Sequence, residues 1–368
     1  MTLRNPFTPT FGKVPPHMAG RDRVIVDLLA GLENGPGDPN LTTILIGARG
    51  TGKTALLSHI SREAGARGWI SVDVSARPGM LEGILLGARK AATHLIEDAR
   101  SPQIKGVQIG QLLGVEWERA DKTPSTWRLD MEDLLDALEE HGAGLLITVD
   151  EVRGNLEEMI DLVSVYQHFV REDRRVALLM AGLPFKTSEL LANEDISFLR
   201  RAQHRYFGRI EDTAVETSLE ATVREAGRSI EAVALRRAVE EIDGFPYMMQ
   251  LLAYRAWAEN PESPIITLSD VESAATVARS ELETSVLETT YRELSPKDRA
   301  FLFAMLEDGG ESAMTAIAKR MGVKGNYAGQ YKRRLLEQGL IETRGSKAVG
   351  YALPGLKEFL QEKVAGDR

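Results

Sequence analysis

The stretch that decides the fold is Thr-Thr-Ile-Leu-Ile-Gly-Ala-Arg-Gly-Thr-Gly-Lys-Thr, residues 42–54. Residues 42–46 are β-branched or apolar, which predicts a buried strand. Residues 47–54 match G-x-x-x-x-G-K-[ST] at every defined position, and an apolar-periodic helix is expected over 53–64. Glycines let backbone N–H groups wrap around phosphates, and the helix N-terminus adds a positive field. A strand, a loop and a helix in this order therefore predict a phosphate-binding loop.

Each position of this loop has an expected role. Lys53 supplies a mobile charge for the β- and γ-phosphates, and Thr54 supplies a hydroxyl for Mg²⁺. We expect ATP or ADP as the nucleotide, with Mg²⁺ as its cofactor. The alternative is a glycine-rich turn that matches by chance. The predicted nucleotide-binding residues of the loop are Gly47, Ala48, Arg49, Gly50, Thr51, Gly52, Lys53, Thr54 and Ala55.

A second apolar run, residues 145–149, ends in Asp150 and Glu151. Parallel sheets place their ligands at the carboxyl ends of strands, so Asp150 is predicted to complete the Mg²⁺ site with Thr54. Glu151 is predicted to polarise the attacking water, with Lys53 also assisting catalysis. The competing interpretation is an ordinary strand that ends in a solvated acidic turn.

The order of elements predicts an α/β fold, a P-loop NTPase parallel sheet with helices on both faces. Strands are expected at Trp69–Val74, Gly144–Val149, Val176–Ala181 and Arg205–Ile210. Helices are expected over 80–99, 129–140 and 156–169. A hairpin is expected over 107–117. Residues 213–258 and 268–287 read as helices only, and the segment after Ser295 as a winged helix-turn-helix. The predicted divisions are an extended N-terminal arm (1–19), an ATPase core (20–210), an all-α lid (211–290) and a winged-helix domain (291–368).

The loop and Asp150-Glu151, with a strand between them, resemble the additional-strand ATPases that include AAA+ and STAND proteins. Gly20-Arg21-Asp22 is similar to a G-R-[DE] element near the adenine, and Gly244-Phe245-Pro246 to a G-x-P element. The whole chain is similar to origin-recognition-type AAA+ ATPases. The resemblance implies that Arg21 and Pro246 contact the nucleotide and that Arg200 or Arg201 acts as an arginine finger in a homo-oligomer. For Arg200 and Arg201 the alternative is a solvated surface charge. For Gly244-Phe245-Pro246 it is an ordinary interhelical turn.

One departure from that resemblance concerns the strand Val176–Ala181. It ends in Met180-Ala181-Gly182, where these families offer a polar side chain to the γ-phosphate. Slow hydrolysis is therefore expected, unless Arg200 or Arg201 takes over this role.

Charge is distributed unevenly along a chain of net charge −9. Between residues 294 and 368 there are 13 Lys and Arg against 9 Asp and Glu. A recognition helix over 327–338 with a wing over 345–350 predicts contacts with double-stranded DNA. A packing module with a soluble basic face is the alternative. The predicted contact residues are Asn326, Tyr327, Gln330, Lys332, Arg333, Arg334, Arg344 and Lys347.

Composition limits the remaining possibilities. The sequence contains no cysteine, which excludes disulfides, thiolate metal sites and a cysteine nucleophile. No apolar run reaches the roughly 18 residues that a membrane helix needs, so we expect a cytoplasmic protein without a membrane partner. The favoured function is an ATPase whose nucleotide state moves core against lid, acting on an unspecified client. The alternatives are a DNA-binding regulator with a structural nucleotide and a kinase-like phosphotransferase.

Overall fold

A computed structural model describes residues 3–10, 12–98, 124–309, 311–345 and 347–366. The hairpin predicted over 107–117 lies outside these residues. No helix within the described ranges combines the length and the apolarity that a membrane crossing requires.

A five-stranded parallel sheet organises the first half of the chain, in the order β2-β3-β4-β1-β5. Successive residues of β3 point to opposite faces: Leu145 and Ile147 join one apolar cluster, and Leu146 joins another. Helices cover both faces, as predicted, because continuous apolar strands must be buried on each side. The strands are β1 (Thr42–Gly47), β2 (Trp69–Ser75), β3 (Gly144–Asp150), β4 (Val176–Gly182) and β5 (Gln203–Phe207).

The helices of this half agree with the predicted pattern, with some corrections. The fourth helix begins at Pro124 rather than near Leu129, and the sixth was not predicted. The last strand ends at Phe207 rather than Ile210, since its register with β1 runs from Gln203 to Phe207. The helices are α1 (Asp22–Asn34), α2 (Lys53–Ala64), α3 (Met80–Asp98), α4 (Pro124–Glu140), α5 (Glu157–Arg171) and α6 (Pro184–Ala192).

The segment after residue 210 is mainly helical, but the expectation of helices alone was wrong. Two-residue strands, β6 (Ser229–Ile230) and β7 (Ile265–Ile266), pair in parallel between the helices. Runs this short carry no periodicity that a sequence pattern could detect. The helices are α7 (Asp212–Glu225), α8 (Ala232–Ile242), α9 (Pro246–Glu259), α10 (Leu268–Leu282) and, after a π-helical turn, α11 (Glu288–Arg292).

The N-terminal arm is extended and packs on these helices. Phe7 is only 1% exposed and lies edge-on to Trp257 at 6.4 Å between ring centroids. The Asn5 side-chain amide donates to the Tyr254 carbonyl, and the Thr8 amide donates to the Gln250 side chain. The arm therefore contributes an aromatic side chain to a core formed mainly by residues two hundred positions later.

In its described residues, the last segment contains four helices and a three-stranded sheet. Ser295 caps the first helix in a capping box with Asp298. The final helix was not predicted. The elements, in chain order, are α12 (Pro296–Met305), β8 (Ser312–Ala313), α13 (Met314–Arg320), α14 (Gly325–Glu337), β9 (Ile341–Arg344), β10 (Ala348–Tyr351) and α15 (Leu356–Gly366).

Candidate nucleotide-binding site

The predicted phosphate loop connects the end of β1 to the start of α2. Gly50 and Gly52 have φ of 76° and 88°, in the left-handed region where a side chain is unfavourable. A Cβ at Gly47 would lie 2.4 Å from the Phe207 carbonyl oxygen on β5. The glycines at these three positions are therefore required by the backbone, independently of any ligand.

Lys53 lies at the centre of the loop and is only 9% exposed. Its ammonium donates to the carbonyl oxygens of Gly47 and Ala48, at 2.8 and 2.7 Å. Burial lowers the pKa of Lys53 to about 8, against the opposing attraction of Asp150. A cation held this way is available to phosphate oxygens, which would replace the two carbonyl contacts with stronger charge-assisted ones.

Thr54 and Asp150 form the predicted pair at the carboxyl end of the sheet. The Thr54 hydroxyl donates to Asp150 Oδ2 at 2.6 Å, and the Glu151 amide donates to Asp150 Oδ1 at 2.8 Å. Hydroxyl and carboxylate oxygens are the ligands that Mg²⁺ prefers, usually together with substrate phosphates. Among the described residues, no group of three or more His, Asp or Glu side chains could hold a metal alone. The donor set therefore suits a metal that arrives with a nucleotide.

Glu151 follows Asp150 with φ of 56°, and it is one of three non-glycine residues with positive φ among the described residues. Its side chain is exposed. Left-handed backbone is unfavourable for glutamate, and such strain is concentrated at functional sites. The turn follows Asp150 immediately, and the next residue, Val152, donates its amide to the Ala181 carbonyl at the end of β4, at 2.9 Å.

A cavity of about 440 Å³ opens beside this pair. It extends from Thr54 and Asp150 to the end of β2, where Asp73 accepts hydrogen bonds from Ser61 and Thr148, at 2.5 and 2.6 Å. The cavity provides room for a polyphosphate and water next to the proposed metal position. Its polar and charged lining residues include Thr54, Ser58, Asp73, Arg77, Thr148 and Asp150.

Arg21 also lies against the loop, and the resemblance described above implies that it belongs to an element near the adenine. Its guanidinium donates to the carbonyl oxygens of Gly208 and Thr51, at 3.0 and 3.5 Å, and stacks on the Phe207 ring at 4.3 Å. Burial lowers the pKa of Arg21 to about 10. These contacts hold the positive charge of Arg21 in place next to the loop.

Pro246 begins α9 directly beside the loop. A Cβ at Gly50 would lie 2.6 Å from the Phe245 ring, and the Tyr247 amide donates to the Gly50 carbonyl at 3.2 Å. The Gly244-Phe245-Pro246 element therefore contacts the phosphate loop itself.

Arg200 and Arg201 lie far from this site in their own chain. Both are exposed on a 3₁₀ turn, Ser197–Arg201, and Arg200 donates to the Leu191 carbonyl at 3.0 Å. Arg201 lines a separate cavity with Thr42 and Val176, which begin β1 and β4. The phosphate loop follows the carboxyl end of β1, whereas this cavity lies at the amino ends of β1 and β4. Neither arginine therefore reaches the loop of the same chain.

Three contacts at the loop were not foreseen from the sequence. Arg49, predicted to bind nucleotide, forms a two-pronged ion pair with Glu293 at 2.9 and 3.2 Å. A Cβ at Gly339, after α14, would lie 2.4 Å from the Ala48 Cβ. A Cβ added at Gly12, in the arm, would lie 3.9 Å from the Thr54 methyl carbon. No local pattern indicates contacts between residues this distant in sequence.

The predicted DNA-contacting residues separate into two groups. Asn326, Tyr327 and Gln330 are exposed at the first turns of α14, and Arg333 and Lys347 are exposed as well. Lys332 is half-buried, and Arg344 pairs with Glu342.

Arg334 differs from these side chains, because its guanidinium is engaged within its own segment. It donates to the buried Asp298 carboxylate and to the Ser295 hydroxyl, at 2.8 and 3.1 Å. These contacts join α14 to the capping box of α12. Arg334 therefore has an evident structural role.

Comparison with known proteins places these observations in context. Residues 284–360 match a family described as a domain of unknown function, DUF8462. Among proteins with curated descriptions, none matches this sequence. A Walker-type ATPase of Pyrococcus abyssi is similar in structure, with a TM-score of 0.66 and 15% identity, covering 94% of this chain and 96% of its own. The ORC2 protein of Aeropyrum pernix in its ADP form has a TM-score of 0.52 and 16% identity, covering 97% and 98%.

These similarities extend over nearly the whole chain, and they agree with the observed strand order and helical layers. The chain therefore has the fold of the AAA+ class of P-loop ATPases, together with a largely helical C-terminal half. This is the fold that the phosphate loop and the alternation of strands and helices predicted.

Proposed function

We propose that this protein binds Mg²⁺-ATP and hydrolyses it slowly, and that the bound nucleotide alters the contact between core and lid. The observation that carries this proposal is the Thr54–Asp150 hydrogen bond of 2.6 Å, next to Lys53 and beside a cavity of about 440 Å³. Phosphate, metal and water would each have a position there.

Each residue of the site has a separate role in the proposed reaction. Lys53 exchanges its two carbonyl contacts for phosphate oxygens, and Thr54 and Asp150 hold the metal. Mg²⁺, when bound, neutralises charge on the phosphates and keeps their oxygens in place. Glu151 accepts the proton of the water that attacks the γ-phosphorus. Asp150 is engaged by the Thr54 hydroxyl whereas the Glu151 side chain is exposed, so the two carboxylates take different roles.

The phosphate loop contacts residues of the helical half and of the last segment, and these contacts can couple nucleotide binding to the rest of the chain. Gly50 carries the contacts with Phe245 and Tyr247, while Ala48 and Arg49 carry the contacts with Gly339 and Glu293. A ligand shifts a conformational equilibrium only through contacts that differ between the states. A loop that rearranges around phosphates changes these contacts directly. We retain the division into arm, core, lid and winged-helix domain at 1–19, 20–210, 211–290 and 291–368 as part of this proposal.

Arg200 or Arg201 would act on a second copy of the chain. Their exposure at the amino-terminal edge of the sheet supports a role between chains rather than within one. An arginine supplied from a neighbour stabilises the charge that develops on the transferred phosphoryl group.

A second candidate function, DNA binding, is favoured by the exposed start of α14. The order of α12, β8, α13, α14, β9 and β10 supports the proposed winged helix. Its predicted recognition helix presents Asn326, Tyr327 and Gln330. We leave Arg334 out of the proposed contact set, because Asp298 already holds its guanidinium.

The ATPase proposal is tested by measuring nucleotide affinity and turnover in two variants. Lys53→Ala should lose ATP binding. Glu151→Gln should bind ATP but stop turnover, because a neutral amide cannot accept a proton. ATP affinity unchanged in the first variant, or turnover unchanged in the second, would contradict the assigned role.

DNA binding is tested by titrating duplex DNA at several salt concentrations. The affinity should fall steeply with salt, and Arg333→Gln combined with Lys347→Gln should weaken it and flatten the salt dependence. Arg224→Gln, an exposed arginine at the end of α7, serves as the matched control. No binding at low salt would remove this candidate.

A further inference from the structure

The end of β4 lacks a polar side chain for the γ-phosphate. Met180 and Ala181 are fully buried within apolar clusters, and Gly182 follows them. The strand lies between β1, which carries the phosphate loop, and β3, which carries Asp150. The charge that develops on the γ-phosphate during hydrolysis therefore needs a partner from another element.

Arg77 lies at the adjoining strand end. β2 pairs in parallel with β3 so that Ser75 is opposite Asp150, and the Ala76 amide donates to the Asp150 carbonyl at 2.9 Å. Arg77 is the next residue. It lines the same cavity as Thr54 and Asp150, and it is exposed there. Within the described residues, its guanidinium makes no hydrogen bond or ion pair.

The turn that carries Arg77 is fixed from a third element. The Glu158 carboxylate, on α5, accepts hydrogen bonds from the Gly79 and Leu81 amides, at 2.6 and 3.0 Å. The Met80 amide donates to the Arg77 carbonyl at 3.1 Å. The backbone of this turn is thus tied to β3 on one side and to α5 on the other, while the arginine side chain remains available.

The charge of the cavity favours a cation at this position. Asp73 and Asp150 line it together with Arg77, and an arginine presents a planar fork of donors that matches phosphate oxygens. An arginine that has no partner among the described residues, on a fixed turn beside the proposed metal pair, is suited to bind an anion that arrives with the nucleotide.

We propose that Arg77 contacts the γ-phosphate within the same chain and stabilises the charge that develops on its oxygens during hydrolysis. The water oxygen bonds to the γ-phosphorus as the bond to the bridging oxygen breaks, which gives ADP and inorganic phosphate. The water proton passes to Glu151, and Arg77 undergoes no covalent change. This inference rests on the proposed ATPase function.

The test compares single-turnover ATP hydrolysis and nucleotide affinity in wild type, Arg77→Gln and Arg77→Lys. Removing a donor that acts on transition-state charge lowers turnover by about a hundredfold or more. ADP affinity should stay within about twofold, since ADP has no γ-phosphate, and added guanidinium should partly restore turnover in Arg77→Gln. Arg77→Lys should keep intermediate activity. Arg224→Gln, an exposed arginine at the end of α7 and outside both cavities, is the control and should match wild type.

The outcomes separate this inference from the proposed function. Wild-type turnover that Glu151→Gln abolishes but Arg77→Gln leaves unchanged would overturn the role of Arg77 alone. A parallel loss of ADP affinity would also overturn it, because the arginine would then support the fold or general nucleotide binding. Absence of wild-type turnover would overturn both proposals.

Discussion

Nucleotide affinity should depend on pH through Lys53. In the nucleotide-free protein, burial holds the pKa of this ammonium at about 8, lower than its ordinary value. Phosphate oxygens that replace the Gly47 and Ala48 carbonyls stabilise the charged form and raise the pKa again. Above pH 8, Lys53 is therefore mainly neutral in the free protein and charged in the complex. Binding there must take up a proton.

The size of the effect follows from the distance between the working pH and that pKa. At pH 9, about one unit above the pKa, charging Lys53 costs about 1.4 kcal/mol, so affinity should fall roughly tenfold relative to neutral pH. Below pH 7 the ammonium is already charged, and its contribution to the pH dependence disappears. The nucleotide phosphates lose their last proton near pH 6, so measurements from pH 7.5 to 9.5 isolate the lysine.

Isothermal titration calorimetry with ADP in two buffers of different ionisation heat measures both affinity and proton uptake. Uptake should approach one proton at pH 9 and be small at pH 7.5. Lys53→Arg is the matched variant, because its guanidinium keeps its charge throughout this range and should remove the proton uptake. ADP affinity in wild type that is constant from pH 7.5 to 9.5, without proton uptake, would refute the reasoning.

Three stability predictions concern contacts outside the loop, each measured by urea unfolding. Gly339→Ala forces a Cβ against Ala48 at a φ of 70° and should cost about 2–4 kcal/mol, whereas Gly322→Ala, at a φ of 64° in open space, should cost about 1; equal losses would show that the Ala48 contact is unimportant. Phe7→Ala should lower the free energy of unfolding by about 3–5 kcal/mol, and a change below 1 would mean that the arm does not belong to the core. Asp298→Ala removes a 2% exposed carboxylate that caps α12 and pairs with an arginine, so a loss of about 3 kcal/mol is expected, and a neutral result would contradict that role.

The fold and the core of the site were predictable because their signals are local. The loop needs glycines where backbone φ is positive, and Gly50 and Gly52 have that conformation. Lys53 and Thr54 are fixed in spacing by the start of a helix, and Asp150 by the end of a strand. The continuous apolar run of β3 corresponds to two separate apolar clusters, one on each face of the sheet.

The remaining features depend on contacts between distant residues. The end of β5 was placed three residues late because its register is set by β1, not by its own pattern. Arg334 looks like its basic neighbours in sequence, yet Asp298 holds it, and only the packing of α14 on α12 reveals this. Arg77 gave no signal, since an arginine in a turn is ordinary until the strand pairing puts it beside Asp150.

The burial of Phe7 affects the order in which parts of the chain can fold during synthesis. Its ring partner, Trp257, is 250 positions downstream. At the usual rate of translation, about 5–20 residues per second, Trp257 is synthesised roughly 12–50 s after Phe7. During that interval the parallel sheet can assemble, but the helical half cannot close around the beginning of the chain. Phe7 thus leaves the ribosome well before the helices on which it packs, and its segment is among the last to reach its native position.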